Sequence, residues 1–272
     1  MIWLLPWESD DHVRHMPWAT WSLLLLNIGA FLLMPGGSDE QVRAWYMEYG
    51  LVPGDWRWFQ FITSAFMHGD WLHLAGNMFF LWVFGDNVED VLGTAGFVLL
   101  YAIGGLAGDV LFVQANAGMM IPSVGASGCL AAIAGAYALL FFSRTIDLKV
   151  MVLVFPVYTL HVQAFWVLLL YFGMDTFRTI QGEGVLEGSG GVNFVAHGVG
   201  FMVGLGVGIL ALLQGVMRRY DKLSNGSGWW GYWPPSLEED DRRARLRAQQ
   251  LQRLRDQVPT PRSDRDQGWP GG

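Results

Sequence analysis

Four side chains in this sequence have the types and settings that acyl transfer requires. Ser127 stands in VGASGCLAA (124–132), and His197 in NFVAHGVGFMVGLGVG (193–208). His73 and Asn77 stand in MHGDWLHLAGN (67–77). A serine hydroxyl becomes a nucleophile when a base removes its proton, and a neutral histidine suits that task. His73 and Asn77 are four apart and share one face of a helix. Imidazole and amide donors, together with the serine's own N–H, can stabilise the negative charge that develops on an attacked carbonyl oxygen.

Each of the four also has a plainer reading. Small residues let apolar helices pack closely, and Gly125, Gly128, Ala132 and Gly135 form such a stripe around Ser127. His197 could simply bond a backbone carbonyl, and His73 with Asn77 could cap a helix entry. Gly200, Gly204 and Gly208 make a flat face below His197. If that face meets the stripe beside Ser127, the two side chains come within hydrogen-bond reach. The motif is not the G-x-S-x-G elbow of soluble hydrolases, because Cys129 occupies the last glycine position. His68 and His73 do not have H-E-x-x-H spacing, so no metal is expected, and no cofactor either. Asp109 and Asp175 raise an aspartyl alternative, which needs two carboxylates sharing a proton. Asp109, however, lies in LAGD rather than G-x-G-D, and Asp175 falls at a span end. His161 has no catalytic role in this reading and is expected to make a local hydrogen bond.

These residues need elements to hold them, and the composition indicates which kind. The chain has 272 residues, 52% of them hydrophobic and 15% charged, with 35 glycines and 14 tryptophans. Soluble domains carry nearer a quarter charged residues, and Trp and Gly are common in membrane proteins. An all-α polytopic membrane protein follows, with the lipid bilayer as its surroundings. Six apolar stretches approach the length of a span, at roughly 17–34, 71–87, 93–114, 125–142, 150–174 and 192–216. A long aromatic loop, about 36–70, is expected to fold onto the protein or dip into the membrane interface, and GEGVLEGSGG (182–191) to form a loop before the last span.

The organisation expected is a cytoplasmic segment 1–16, a six-span core 17–216 and a cytoplasmic tail 217–272. The start has no basic run before its apolar residues and no small-residue cleavage site, so it is expected to be retained. In the tail, GWWGYWPP suggests an interfacial anchor, and SLEEDDRRARLRAQQLQRLRDQV suggests an amphipathic helix at about 237–257. Residues 218–272 hold 11 basic and 8 acidic side chains, a charge of +3 that leaves −10 for the rest of the net −7. Nucleic-acid binding is not implied. The single cysteine excludes an intramolecular disulfide.

Arg14, Arg144, Lys149, Arg218, Arg219 and Lys222 would lie on one side of the membrane, and Arg43, Arg57 and Arg178 on the other. This bias puts both termini in the cytoplasm. Spans two, four and six then all run inward, and His73, Asn77, Ser127 and His197 all fall near the outer ends of their helices. A transporter would instead line the full depth with polar groups.

At this point the chain resembles the rhomboid intramembrane serine proteases. The resemblance is carried by Trp56-Arg57 in the first loop, His68, His73 and Asn77, the Gly85-x-x-x-Glu89 end of span two, Gly125-Ala126-Ser127-Gly128, and Ala196-His197-x-x-Gly200. It covers about 17–216 and implies a six-helix rhomboid-like bundle with a Ser127–His197 dyad and no third acid. It further implies an oxyanion hole from His73, Asn77 and the Ser127 N–H, with His68, Trp56, Arg57 and Glu89 supporting the fold. Implied substrates are transmembrane proteins, cut in or near their spans, and the implied location is a prokaryote-type plasma membrane. A non-catalytic relative that binds membrane proteins is the alternative, although such relatives usually lose the serine or the histidine. Family members often carry an aromatic four residues after the serine, stacked on the histidine. Here that position is Ala131, so another group must orient His197. The resemblance leaves the oligomeric state open.

Overall fold

The computed structural model describes residues 2–8, 16–142, 144–152, 155–180 and 193–216. The expected loop 182–191 and the tail from 217, with its helix at about 237–257, lie outside the described residues. Helices dominate. The first, α1 (Trp18–Leu32), begins after Pro17, and its opening N–H groups are satisfied by a residue far along the chain. The Glu89 carboxylate accepts from the backbone N–H of Ala19 (2.9 Å) and of Thr20 (2.8 Å). It also accepts from the hydroxyls of Thr20 and Thr94, both at 2.9 Å. Four donors make full burial of this carboxylate tolerable.

The expected aromatic loop carries its own helices, α2 (Asp39–Tyr49) and the single turn α3 (Gln60–Thr63), followed by a 3₁₀ turn over Ser64–Phe66. Ser38 and Gln41 close a capping box at the start of α2. The loop does fold back on itself. Gln60 Nε2 donates to the carbonyls of Met47 and Glu48 (both 3.1 Å), and Thr63 Oγ1 to that of Tyr49 (2.6 Å). The Tyr46 hydroxyl donates to the carbonyls of His68 (3.0 Å) and Gly69 (3.2 Å).

Helix α4 (Trp71–Ala115) is 45 residues long and breaks at Gly93. There φ is 72° and ψ is 162°, a conformation that favours glycine. The break gives two segments of about 22 residues, each roughly 33 Å long at 1.5 Å per residue. They occupy the positions of the second and third expected spans. After them come α5 (Ser127–Leu140), strands β2 (Thr145–Val152) and β3 (Phe155–Gln163), α6 (Ala164–Ile180) and α7 (Phe194–Leu213). An N-terminal strand, β1 (Ile2–Glu8), pairs antiparallel with β2, and β2 with β3, in the order β1-β2-β3.

By length and composition α4 and α7 are able to cross a membrane, whereas α1, α5 and residues Ala164–Met174 of α6 are apolar but shorter. The fifth expected span, 150–174, requires correction. Its first half is strand, and the helix begins only at Ala164. The apolar run KVMVLVFPVYTLHV is rich in β-branched residues, at Val150, Val152, Val154, Val157 and Val162, and Pro156 interrupts it. Hydropathy alone cannot separate such a run from a helix, but β-branching and proline favour the strand.

Helices α5 and α7 form the centre. Gly200 faces the carbonyl of Gly128, Gly204 that of Ala132, and Gly208 the side chain of Leu139 and the carbonyl of Ala136. The paired positions rise together along both helices, so the two run parallel. On the other side of α5, Gly104 packs against Ala132 and Gly105 against Cys129, with residue order reversed. The second half of α4 is therefore antiparallel to α5. Absent side chains bring these backbones together, as small-residue helix packing requires.

Candidate active site

The flat glycine face of α7 does meet the small-residue stripe of α5. Ser127 is the first residue of α5, immediately before Gly128. His197 is the fourth residue of α7, immediately after Ala196. Gly128 packs against Ala196 and Gly200, so both side chains belong to the same end of one parallel interface. His197 is buried and Ser127 half-buried. Asn193 fixes the start of α7 by accepting from the Ala196 N–H at 3.0 Å.

The entry of α4 supplies the next two residues. Asp70 caps it, accepting from the His73 N–H at 2.8 Å. His73 Nδ1 lies 3.4 Å from the Gly69 N–H and accepts from it. The assignment leaves Nε2 as the protonated, donating nitrogen. That nitrogen is turned toward Gly125, where an added Cβ would come within 2.8 Å of it and within 3.7 Å of Asn77 Nδ2. Gly125 has φ of 127° and donates its N–H to the Ser64 carbonyl at 2.9 Å. A side chain here would be strained and would fill the space that His73 and Asn77 share. The N–H of Ser127, in the first turn of α5, has no acceptor within its own helix.

His68 does more than fill space. It is fully buried, and its Nε2 lies 2.9 Å from Asn77 Nδ2, which donates to it. Burial first, and then the neighbouring His73, lower the His68 pKa to about 4, while the Phe66 carbonyl acts in the opposite direction. A neutral His68 has the lone pair that Asn77 needs. The remaining support residues sit apart from the site. Trp56 is exposed and packs edge-on against Phe61, at 5.6 Å between ring centroids. Arg57 pairs with Glu48 at 2.8 Å on the surface, an exposed pair of small energetic value. Glu89 caps α1, as described above. His161 is not inside a span but exposed on β3, with Nδ1 2.6 Å from Asp147 Oδ1, so the expected local hydrogen bond is present at a different location.

Further residues, some singled out in the sequence and some not, complete the surroundings. Ala131 is fully buried, and an added Cβ on Gly200 would lie 3.3 Å from its methyl group, so no aromatic fits there. Phe172 of α6 and Phe194 of α7 instead present their rings to His197, each at 6.3 Å and at 78° and 83°. Phe172 is itself stacked on Phe201 at 5.0 Å. A narrow cavity beside Ser127 is lined by Asp109, Ser123 and Asn193, and Asn193 Nδ2 donates to Ser123 Oγ at 3.0 Å. Asp109 is the one carboxylate of that lining among the described residues; the side chain of Asp175, its partner in the aspartyl alternative, lies outside them. Asn193 was legible, since an asparagine directly before an apolar run is a helix-start signature. Phe172 was not, because nothing in sequence spacing assigns a residue of α6 to a histidine of α7.

The chain is 34% identical over 111 residues to Rhomboid-like protein 11, chloroplastic, of Arabidopsis thaliana, covering 40% of this chain and 37% of that one. It is 31% identical over 145 residues to Rhomboid protein 1, mitochondrial, of Saccharomyces cerevisiae, covering 50% and 39%. It is 31% identical over 149 residues to Rhomboid protease GluP of Bacillus subtilis, covering 51% and 29%. The chain thus spans well under half the length of these relatives, and two of their names give organellar locations. A family model, Rhomboid domain, matches residues 55–214, more than half of the chain, and so the protein belongs to the rhomboid family.

Proposed function

We propose that this protein is an intramembrane serine endopeptidase that cuts membrane-spanning proteins in or near their transmembrane segments. Residues 17–216 form its six-span core, with α4 contributing two spans, and both termini lie on one side of the bilayer. The proposed setting is a prokaryote-type plasma membrane.

In the proposed reaction, Ser127 Oγ attacks the substrate carbonyl carbon while His197 takes its proton. The oxyanion accepts from His73 Nε2–H, Asn77 Nδ2–H and the Ser127 N–H. Collapse breaks the C–N bond, and the imidazolium returns its proton to the leaving amine. Water then attacks the Ser127 ester with His197 again as base, releasing a carboxylic acid and restoring the serine. Helix α5 has 14 residues and rises about 21 Å, less than the roughly 30 Å of a hydrocarbon core. A short central helix suits a nucleophile that lies below the surface yet opens toward it.

The observation that carries this reading is the parallel α5–α7 packing through Gly128, Ala196 and Gly200, with Ser127 and His197 at its one end. Labelling with a fluorophosphonate tests it. A single adduct on Ser127, lost in His197→Ala, is expected. Adduct formation that is indifferent to His197 would remove the base from the proposal.

A further inference from the structure

The sheet β1-β2-β3 replaces the first half of the expected fifth span, and its two faces differ sharply. Register pairs Ile146 with Val162, Leu148 with Leu160, Val150 with Tyr158 and Val152 with Phe155; the first three pairs and Phe155 share one face. The pairs Asp147–His161 and Lys149–Thr159 are on the other, with Met151 the apolar exception beside the bulge at Val150/Met151. On the apolar face Ile146 is fully buried in the helical core, and Leu148 packs against that core. Farther out the covering stops. Leu160 is 40% exposed, Tyr158 63% and Phe155 68%.

Position in the fold indicates what lies against these three residues. Strand β1 precedes α1, and β3 runs directly into α6, whose first N–H, from Ala164, donates to the Arg144 carbonyl at 2.9 Å. The sheet therefore sits where α1 and α6 both begin. Each of those helices carries an exposed tryptophan in its first turn, Trp18 and Trp166. Aromatic residues at that level mark the boundary between headgroups and acyl chains. The outer edges of β1 and β3 are unpaired among the described residues, so the sheet cannot enter the hydrocarbon, where every backbone group needs a partner. An apolar face that is continuous with lipid-facing helices, on a sheet barred from the hydrocarbon, fits only in the plane of the interface.

We propose that the sheet lies flat on the membrane leaflet from which α1 and α6 enter. Phe155, Tyr158 and Leu160 rest among the lipid at the headgroup boundary, and Lys149, Thr159 and His161 face water. The partner is the lipid surface itself. The sheet fixes how deeply the starts of α1 and α6 sit and clamps the two helices together through β2. This inference rests on the chain being embedded in a bilayer but not on its catalytic chemistry.

Nitroxide labels on single cysteines at 158, 159, 160 and 149, in the full chain in phosphatidylcholine–phosphatidylglycerol vesicles, test it. The native Cys129 is buried in α5, and unlabelled wild type provides the control. Collision with oxygen relative to a water-soluble nickel chelate is expected to be several-fold higher at 158 and 160 than at 149 and 159. Equal ratios at all four sites would overturn the proposal by placing the sheet in water. Labels at 158 and 160 shielded from both reagents would overturn it in favour of a protein cover, and spin–spin broadening would identify that cover as a second copy. Proteolytic activity does not enter the readout, so failure here leaves the Ser127 assignment standing.

Discussion

Gly200 of α7 lies against the carbonyl oxygen of Gly128 of α5, and a methyl group added to Gly200 would collide with that oxygen. The contact sets the spacing of the two helices at the level of Ser127 and His197. Gly200→Ala is therefore expected to destabilise the protein by about 1–3 kcal/mol through overpacking. Activity should fall more than stability alone explains. Gly206→Ala, on the same helix where an added Cβ meets nothing within 4 Å, should be neutral. Thermal unfolding in detergent compares the two, and equal losses would mean the contact has no special role.

Glu89 carries a second structural claim. It accepts four hydrogen bonds, two of them from the opening N–H groups of α1. Glu89→Gln places an amide among donors and should cost about 1–3 kcal/mol. Glu89→Ala should cost more and should loosen α1 specifically. Hydrogen exchange at Ala19 and Thr20 measures this directly, and unchanged protection in the alanine variant would contradict the capping role.

The burial of His68 makes stability depend on pH. Its folded pKa of about 4 lies below the usual 6.5, so between those values the unfolded chain binds the extra proton. The contribution of His68 to stability is thus intact above pH 6.5, declines as pH falls toward 4 and levels off below that. Protonation would also turn the Asn77 contact into a clash of two donors. His68→Gln should flatten the acid side of the stability curve. An unaltered slope between pH 6.5 and 4 in that variant would show that His68 is not its source.

The sequence alone singled out Ser127, His197, His73 and Asn77 as candidates. The reason is physical: polar residues are conspicuous in apolar helices, and the glycine spacing at 128, 200 and 204 reports a helix contact. It did not reveal the strands Thr145–Val152 and Phe155–Gln163, because hydropathy treats a strand and a membrane helix alike. Nor did it reveal the aromatic partners of His197. Ala131 indicated that something else must hold the ring, but Phe172 and Phe194 come from elements that only the fold brings near. Glu89 could be singled out, but its role as a cap for a helix seventy residues earlier could not.

The two proposed oxyanion donors, His73 and Asn77, offer a test that separates binding from chemistry. Asn77→Ala and His73→Ala should each lower kcat by roughly 10²–10³-fold with KM little changed, since their bonds strengthen only as charge develops. Steady-state cleavage in detergent micelles gives both constants. A rise in KM at constant kcat would move these residues from charge stabilisation to substrate binding.

Cleavage of a single-span substrate by purified protein tests the central claim most directly, with wild type compared to Ser127→Ala and His197→Ala. The account predicts one cut, in or near the substrate's transmembrane segment, made by wild type and abolished in both variants while their thermal unfolding stays unchanged. Cleavage of equal extent by all three folded proteins would contradict it.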